Sequence, residues 1–398
     1  MTAANPRFAP EFRVTLGGEA IAAALRGSIS AVSLQTGFEG ADRAELTLVN
    51  EHLRWLDHPR LRLDTPLALW LGYAPDPLEA MFVGDIVGHT ASFPGAGVPT
   101  LTVAAQDRRQ RLQRGTRVRW FGVPIPSVGT LPIADPIVAA DVALDNGLAP
   151  IVEPVGAALS VLLSAGETAA AGDADARQKL VRKQDGVSDH DFLEAIAREN
   201  GWELIIEHRG PLGGSQLRFF SPLDHLAPEV TLKYGRSLVD FTPRISTVGQ
   251  IAAITAYVWV AEIKQAFEVT VGWDWDRTAL TVDVRPAQAG ASPAASAHLI
   301  DEPLTPASAP RRIISELIPR LNQRLTGSGS AIGDPRIRPG TVLRLEGLGT
   351  QFGGLYRVTS ATHTLDGGGY RTAFEVRKEI WFGAIPLPEQ GAVAITAR

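Results

Sequence analysis

Cysteine is absent from this chain of 398 residues, so no disulfide and no thiolate metal site can form. Long hydrophobic runs are missing too. The longest, residues 251–261, is about half of the roughly 20 residues that a membrane-spanning helix needs. It is rich in β-branched and aromatic residues and reads as a buried strand. Neither sign of charge dominates: 38 basic residues face 43 acidic ones, for a net charge of −5. That balance predicts no specific nucleic-acid binding and no attachment to an anionic membrane. The first 12 residues lack a basic stretch followed by an apolar one, so no secretory signal and no membrane insertion are expected. The expected product is soluble, made in the cytoplasm, and exported by lysis or inside an assembly.

What is present is globular in character, with 45% apolar and 20% charged residues. The length allows about two to four domains, each with its own core. Short alternating segments at close spacing predict a first β domain over residues 8–112, a small sandwich or barrel. The texture then changes. Asp135 is read as the cap of a helix that Gly147 stops, and Ser188 as the cap of a second that Gly201 stops. With the hairpin that follows, these predict an α+β domain over 120–232. Strand character resumes at 237–286. Residues 287–306, rich in Ala, Ser and Pro, read as a linker, and 309–326 as a helix that Pro319 bends or ends. From 335 onward the alternation returns, with a Gly-rich turn at 366–369, and predicts an antiparallel meander. Residues 236–286 with 335–382 are assigned to a second β domain, and 287–334 to a linker and helical insert. The fold class is mainly β with α+β insertions.

Candidate chemistry is sparse. The eight histidines include no His-x-x-x-His pair, and Ser28, Ser33 and Ser328 lack a nucleophile elbow. Asp189-His190-Asp191 could bind metal, but acidic residues in the first turn of a helix suit its dipole, and capping is the preferred reading. Gly327-Ser328-Gly329-Ser330 has no Gly-Lys-Ser/Thr after it and reads as a flexible linker. The dense basic run Arg108, Arg109, Arg111, Arg114, Arg117 and Arg119 ends at Trp120 and Phe121. It is expected to face solvent or an acidic partner surface rather than nucleic acid. Trp273-Asp274-Trp275-Asp276 is either a sugar platform or a rim packed into a barrel. No cofactor, metal ligand set or catalytic pair is assigned.

Several phrases, in order, resemble the phage late control D family. They are Phe82-Val83-Gly84-Asp85-Ile86, then Leu101-Thr102-Val103-Ala104-Ala105-Gln106-Asp107, then Ser188-Asp189-His190-Asp191-Phe192-Leu193 with Ala197-Arg198-Glu199-Asn200-Gly201. Phe219 to Pro222, Tyr234-Gly235, Gly272-Trp273-Asp274 and the closing meander follow in place. The resemblance implies a baseplate hub, similar to the hub part of type VI secretion spike proteins. It implies two tube-like β domains beside an α+β domain, and a homotrimer that adapts a hexameric tail tube to a trimeric spike. Tube protein, spike protein and other baseplate proteins (wedge, LysM-type adaptor) are then the expected partners, with no enzymatic role. Arg108, Arg111, Trp273, Asp274, Arg344, Arg357 and Arg371 are the residues expected at a contact surface or channel. Two other readings are a baseplate-associated peptidoglycan hydrolase, which would need a carboxylate pair in a cleft, and a glycan-binding protein using Trp259, Trp273 and Trp275.

Overall fold

Leu67, Leu69 and Leu71 point into a core while the residues between them turn outward, and this two-residue period makes Pro66–Ala74 a strand. The same period buries Tyr370, Thr372, Phe374 and Val376 in Gly369–Arg377. The computed structural model describes residues 9–126, 129–155, 180–208, 214–245, 253–261, 263–274, 279–287, 297–306, 308–322, 324–379 and 394–397, with short pieces at 159–160, 163–164, 167–168 and 178. The fold is mainly β with smaller helical parts, as the pattern predicts.

The first β unit is antiparallel throughout. Its strands run in the order Glu19–Ala20, Ala9–Leu16, Pro66–Ala74, Glu79–Ser92, Thr100–Asp107, Arg43–Val49, Ile29–Gly37. Val14, Leu34, Leu69, Phe82, Ile86 and Val103 fill it. Gly84 is required here by close approach, because a Cβ would lie 2.1 Å from the Gln106 carbonyl oxygen. Gly84→Ala is expected to lower stability by about 1–3 kcal/mol, measured by urea unfolding.

The meander is present as Val342–Glu346, Gly354–Asp366 and Gly369–Arg377, paired antiparallel. The long middle strand shares one edge between two partners. Its first half takes Val342–Glu346, and its second half takes Ile29–Gly37 of the first unit, with Ser360 opposite Gly37 and Leu365 opposite Val32. The two β units are therefore one continuous sheet of 13 strands.

Strand pairing corrects the sequence reading in three places. Residues 236–286 do not act together: Leu238–Ile245 joins the meander's sheet, but Ala253–Val260, Gln265–Asp274 and Ala279–Pro286 form a separate sheet with Ala297–Leu304 and Ala394–Ala397. The reason is apolar demand from the helix Ala309–Leu321, whose Ile313, Ile314 and Leu317 cover Ile254, Ala256 and Val258. Second, the Gly-Ser-Gly-Ser stretch is no linker. It lies in the strand Leu325–Ile332, between Leu238–Ile245 and Gly369–Arg377. A Cβ at Gly327 would strike the Phe241 ring at 2.7 Å, and one at Gly329 the Asp240 carbonyl at the same distance, so packing selects the glycines. Third, Val230–Lys233, all but its last residue assigned by sequence to the α+β domain, lies parallel to Val342–Glu346. Within residues 287–306, part is the strand Ala297–Leu304, and 288–296 lie outside the described residues. Pro319 stands two residues before the end of its helix, as expected.

The α+β unit contains the helices Asp135–Asp145 and Asp189–Asn200, a sheet of Ala149–Val152, Gln216–Phe220 and Glu203–Glu207, and a sheet of Arg182–Val187, Arg117–Ile125 and Gly129–Pro132. Ser188 caps the second helix by accepting the Asp191 N–H at 3.1 Å. Asp135 does not cap the first. Ala134 holds that position, and both Asp135 oxygens accept Arg182 at 2.7 Å.

Candidate assembly surface

The basic run is largely neutralised within the chain. It starts at the end of Thr100–Asp107 and passes through the short helix Arg109–Leu112 into the strand Arg117–Ile125. Arg109 is buried and donates to the Leu204 carbonyl at 2.8 Å and to the Gly37 and Gly40 carbonyls. Arg111 donates to Asp85 at 3.0 Å. Arg117 and Arg119 share Asp145 and Asp189, and Arg119 reaches Asp189 at 2.8 Å. The counter-charges of this run are Asp85, Asp145 and Asp189 of the same chain, separated from it in sequence, where a partner surface or solvent was expected. Arg108 is half-buried, and Arg111 keeps 40% of its side chain exposed, so both still reach the surface. Beside them, Val118 and Trp120 are each 70% exposed, while Phe121 turns inward and stacks on Phe192.

The three arginines of the meander separate. Arg371 is exposed and Arg344 half-buried, each on a strand of the continuous sheet. Arg357 is wholly enclosed, which corrects its placement on a surface. Its Nε lies 2.9 Å from both Glu379 oxygens, and its terminal nitrogens donate to the Gly340, Pro222 and His225 carbonyls. Trp273 and Asp274 end the strand Gln265–Asp274, opposite Leu280 and Ala279. Their side chains, and residues Trp275 and Asp276 entirely, lie outside the described residues.

The sheet also offers open edges that the residue motifs did not reveal. Among the described residues Leu238–Ile245 pairs along its length with Leu325–Ile332 and otherwise has a single bridge, from Leu238 to Tyr234, and Val239 and Ile245 are exposed along it. At the other end, among the described residues, Ala9–Leu16 is covered beyond Pro66–Ala74 only by Glu19–Ala20. Unpaired strand edges invite a partner strand. A cleft of about 960 Å³ lies where the sheet meets the helices Asp189–Asn200 and Ala309–Leu321, walled by Glu39, Glu194, Arg198, Glu316, Arg320 and Arg377.

Among the described residues two clusters bring histidine and carboxylates together, and neither is built as a metal centre. In His190, Asp191 and Glu194, the acids stand at different ring nitrogens, 3.6 Å from each. In Asp42, Asp107 and His208, the ring Nδ1 accepts the Val83 N–H at 3.2 Å. The proton of the neutral ring therefore sits on Nε2, where a metal would need a lone pair.

No protein-family model and no curated protein matches the chain. Solved structures do. The 43 kDa tail protein of prophage MuSo2 from Shewanella oneidensis aligns with a TM-score of 0.60 at 14% identity, over 92% of this chain and 98% of that one. The tail protein from Neisseria meningitidis MC58 aligns with a TM-score of 0.59 at 12% identity, over 93% and 97%. This chain has the fold of a phage tail protein. A type VI secretion system component from E. coli, described as structurally similar to bacteriophage tail proteins, shares the tail-protein fold at a TM-score of 0.53 and 11% identity, over 93% and 76%. These alignments extend over almost the whole chain, so the tail-protein fold takes in the continuous sheet and the α+β unit together.

Proposed function

We propose that this chain is the structural hub of a baseplate, in a contractile phage tail or a tail-like injection system, of the late control D kind. Three copies form a ring that receives the hexameric tail tube on one face and holds the trimeric spike on the other. The observation that carries this reading is the pair of β units joined edge to edge within one sheet. Three such chains present six β units, the number a hexameric tube requires, and closed rotational symmetry is the common outcome for such assemblies. The tail-protein fold and the ordered phrases that resemble late control D proteins support the same reading. Arg108, Arg111, Arg344, Arg371 and the open edge at Leu238–Ile245 are the contacts we assign to neighbours and partners, and we assign Trp273 and Asp274 to the same role. The role is structural rather than enzymatic, and the protein ends its life within a tail particle.

The purified chain is expected to show, by light scattering, about three times the 42.5 kDa mass of one chain. Tagged in its native host, it is expected to sediment with tube, spike and wedge proteins in a very large particle. A chain that stays a small soluble species while particles form would overturn the reading. Charge reversal at Arg344 and Arg371 that leaves particles intact would remove those two residues from the contact surface.

A further inference from the structure

The first β unit meets the α+β unit across a buried polar seam. Asp42 closes the turn between Ile29–Gly37 and Arg43–Val49, Asp107 ends Thr100–Asp107, and His208 follows Glu203–Glu207. All three are buried, and one polar atom from each lies within 4.8 Å of the other two. His208 bridges the units. It accepts the Val83 N–H at Nδ1 and places Nε2 at 3.4 Å from Asp42, with its ring tilted against Phe82. Arg109 crosses the same seam to the Leu204 carbonyl.

The hydrogen bonds of this seam are incomplete at two atoms. Asp42 Oδ1 accepts the Gly37 N–H at 3.2 Å, and Asp107 Oδ1 accepts the Arg109 N–H at 3.2 Å. Asp107 Oδ2 is buried with no hydrogen-bond partner, and so is Arg109 Nε. Burial and the neighbouring Asp42 charge push the Asp107 carboxyl well above its ordinary range, although Arg109 and two backbone hydrogen bonds pull the other way. With both aspartates ionised the seam would hold two negative charges against one guanidinium.

We propose that Asp107, Asp42 and His208 form a proton-dependent latch between the first β unit and the α+β unit, closed while Asp107 carries a proton and loosened when it leaves. In the closed state His208 Nδ1 accepts the Val83 N–H and Arg109 reaches the Leu204 carbonyl, so both bonds across the seam are made. Loss of the proton places a second carboxylate near the first, with an oxygen that no donor reaches. A buried ion in that position must draw in water. Water enters where the units touch, so the His208 and Arg109 bonds across the seam are the ones released. The charged and titratable groups facing Asp107 are Asp42 from the turn, Arg109 from its own segment and His208 from the α+β unit. Asp85, on the adjacent strand, is engaged by Arg111. The raised folded-state pKa sets the sign: the stabilising contribution is full below the ordinary carboxylate range and is lost as pH rises through the folded value. The latch belongs to the single chain and does not depend on the proposed assembly.

Amide hydrogen exchange on the intact chain, from about pH 4 to about pH 9 and corrected for intrinsic rate, tests this. Protection at Val83 and at residues 204–208 is expected to fall about tenfold or more with rising pH, relative to Phe374 and Val376 in the second core. Asp107→Asn keeps a neutral side chain there and is expected to hold protection constant. Asp42→Asn removes the neighbouring charge and is expected to move the transition to lower pH, which also serves if the first variant does not fold. Protection at Val83 that tracks the reference amides at every pH, or a transition unchanged in either folded variant, would overturn the latch.

Discussion

Arg357→Ala is expected to cost about 3–5 kcal/mol of stability, read as a lowered urea midpoint with an unchanged slope. Arg357 and Glu379 expose none of their side chains. The guanidinium holds four separate segments: its own strand, Gly340 ahead of Val342–Glu346, the carbonyls of Pro222 and His225, and Glu379. Alanine would take a donor from three carbonyls, of which Pro222 keeps the His225 N–H, and leave the buried Glu379 carboxylate with Arg377 at 2.8 Å as a remaining cation. Arg357→Lys keeps the charge but loses the planar fork, so a loss between wild type and alanine is expected. The double variant Arg357→Met, Glu379→Leu removes both charges at once and should regain most of the loss, because a buried pair is costly to break but replaceable as a pair. Arg377 then still has Glu203. If Arg357→Ala cost less than about 1 kcal/mol, the pair would hold little together.

The same residue shows where reading the sequence stops. Alternation identified Pro66–Ala74 and Gly369–Arg377 because each has one covered and one open face. It misplaced Arg357 because the first five residues of Gly354–Asp366 are all buried, covered on both faces, so the period vanishes there. The helix Asp189–Asn200 was legible from its caps, since those act within a turn of the chain. The partners of 253–286 were not, because periodicity says which face is apolar and nothing about which sheet it joins. Composition suggested a linker at Gly327 to Ser330, where close contact with Phe241 and Asp240 required glycine. The basic run was visible, but its counter-charges Asp85, Asp145 and Asp189 arrive from other segments. His208 read as one of several scattered histidines. Only the fold brings it to Asp42 and Asp107.

His363 should make the chain acid-sensitive by about one proton between pH 6.5 and pH 3. It is completely buried, and both ring nitrogens are committed in the neutral form. Nε2 donates to the Ile337 carbonyl at 3.0 Å, and Nδ1 faces the Tyr370 and Thr372 hydroxyls at 2.9 and 3.0 Å. Thr372 also accepts the Asp334 N–H, which leaves its own hydroxyl proton free for the ring. Burial, reinforced by the Arg338 charge, pushes the His363 pKa down to about 3, against a pull upward from the Ile337 carbonyl and Asp334. The unfolded chain takes up the proton near pH 6.5 and the folded chain does not. The contribution is therefore present above that value and is lost as pH falls, by up to about 1.4 kcal/mol per pH unit. His363→Gln offers an acceptor and a donor without a titrating group. It should be less stable than wild type at neutral pH, yet its stability should fall less steeply through this window, by one proton in the slope. Asp135, held low by Arg182, Arg311 and Asn200 despite its burial, adds acid sensitivity to both proteins equally and drops out of the difference. Equal slopes in urea titrations at matched pH would mean that His363 is protonated in the folded chain, and that the Ile337 and Tyr370 contacts are not those of a neutral ring.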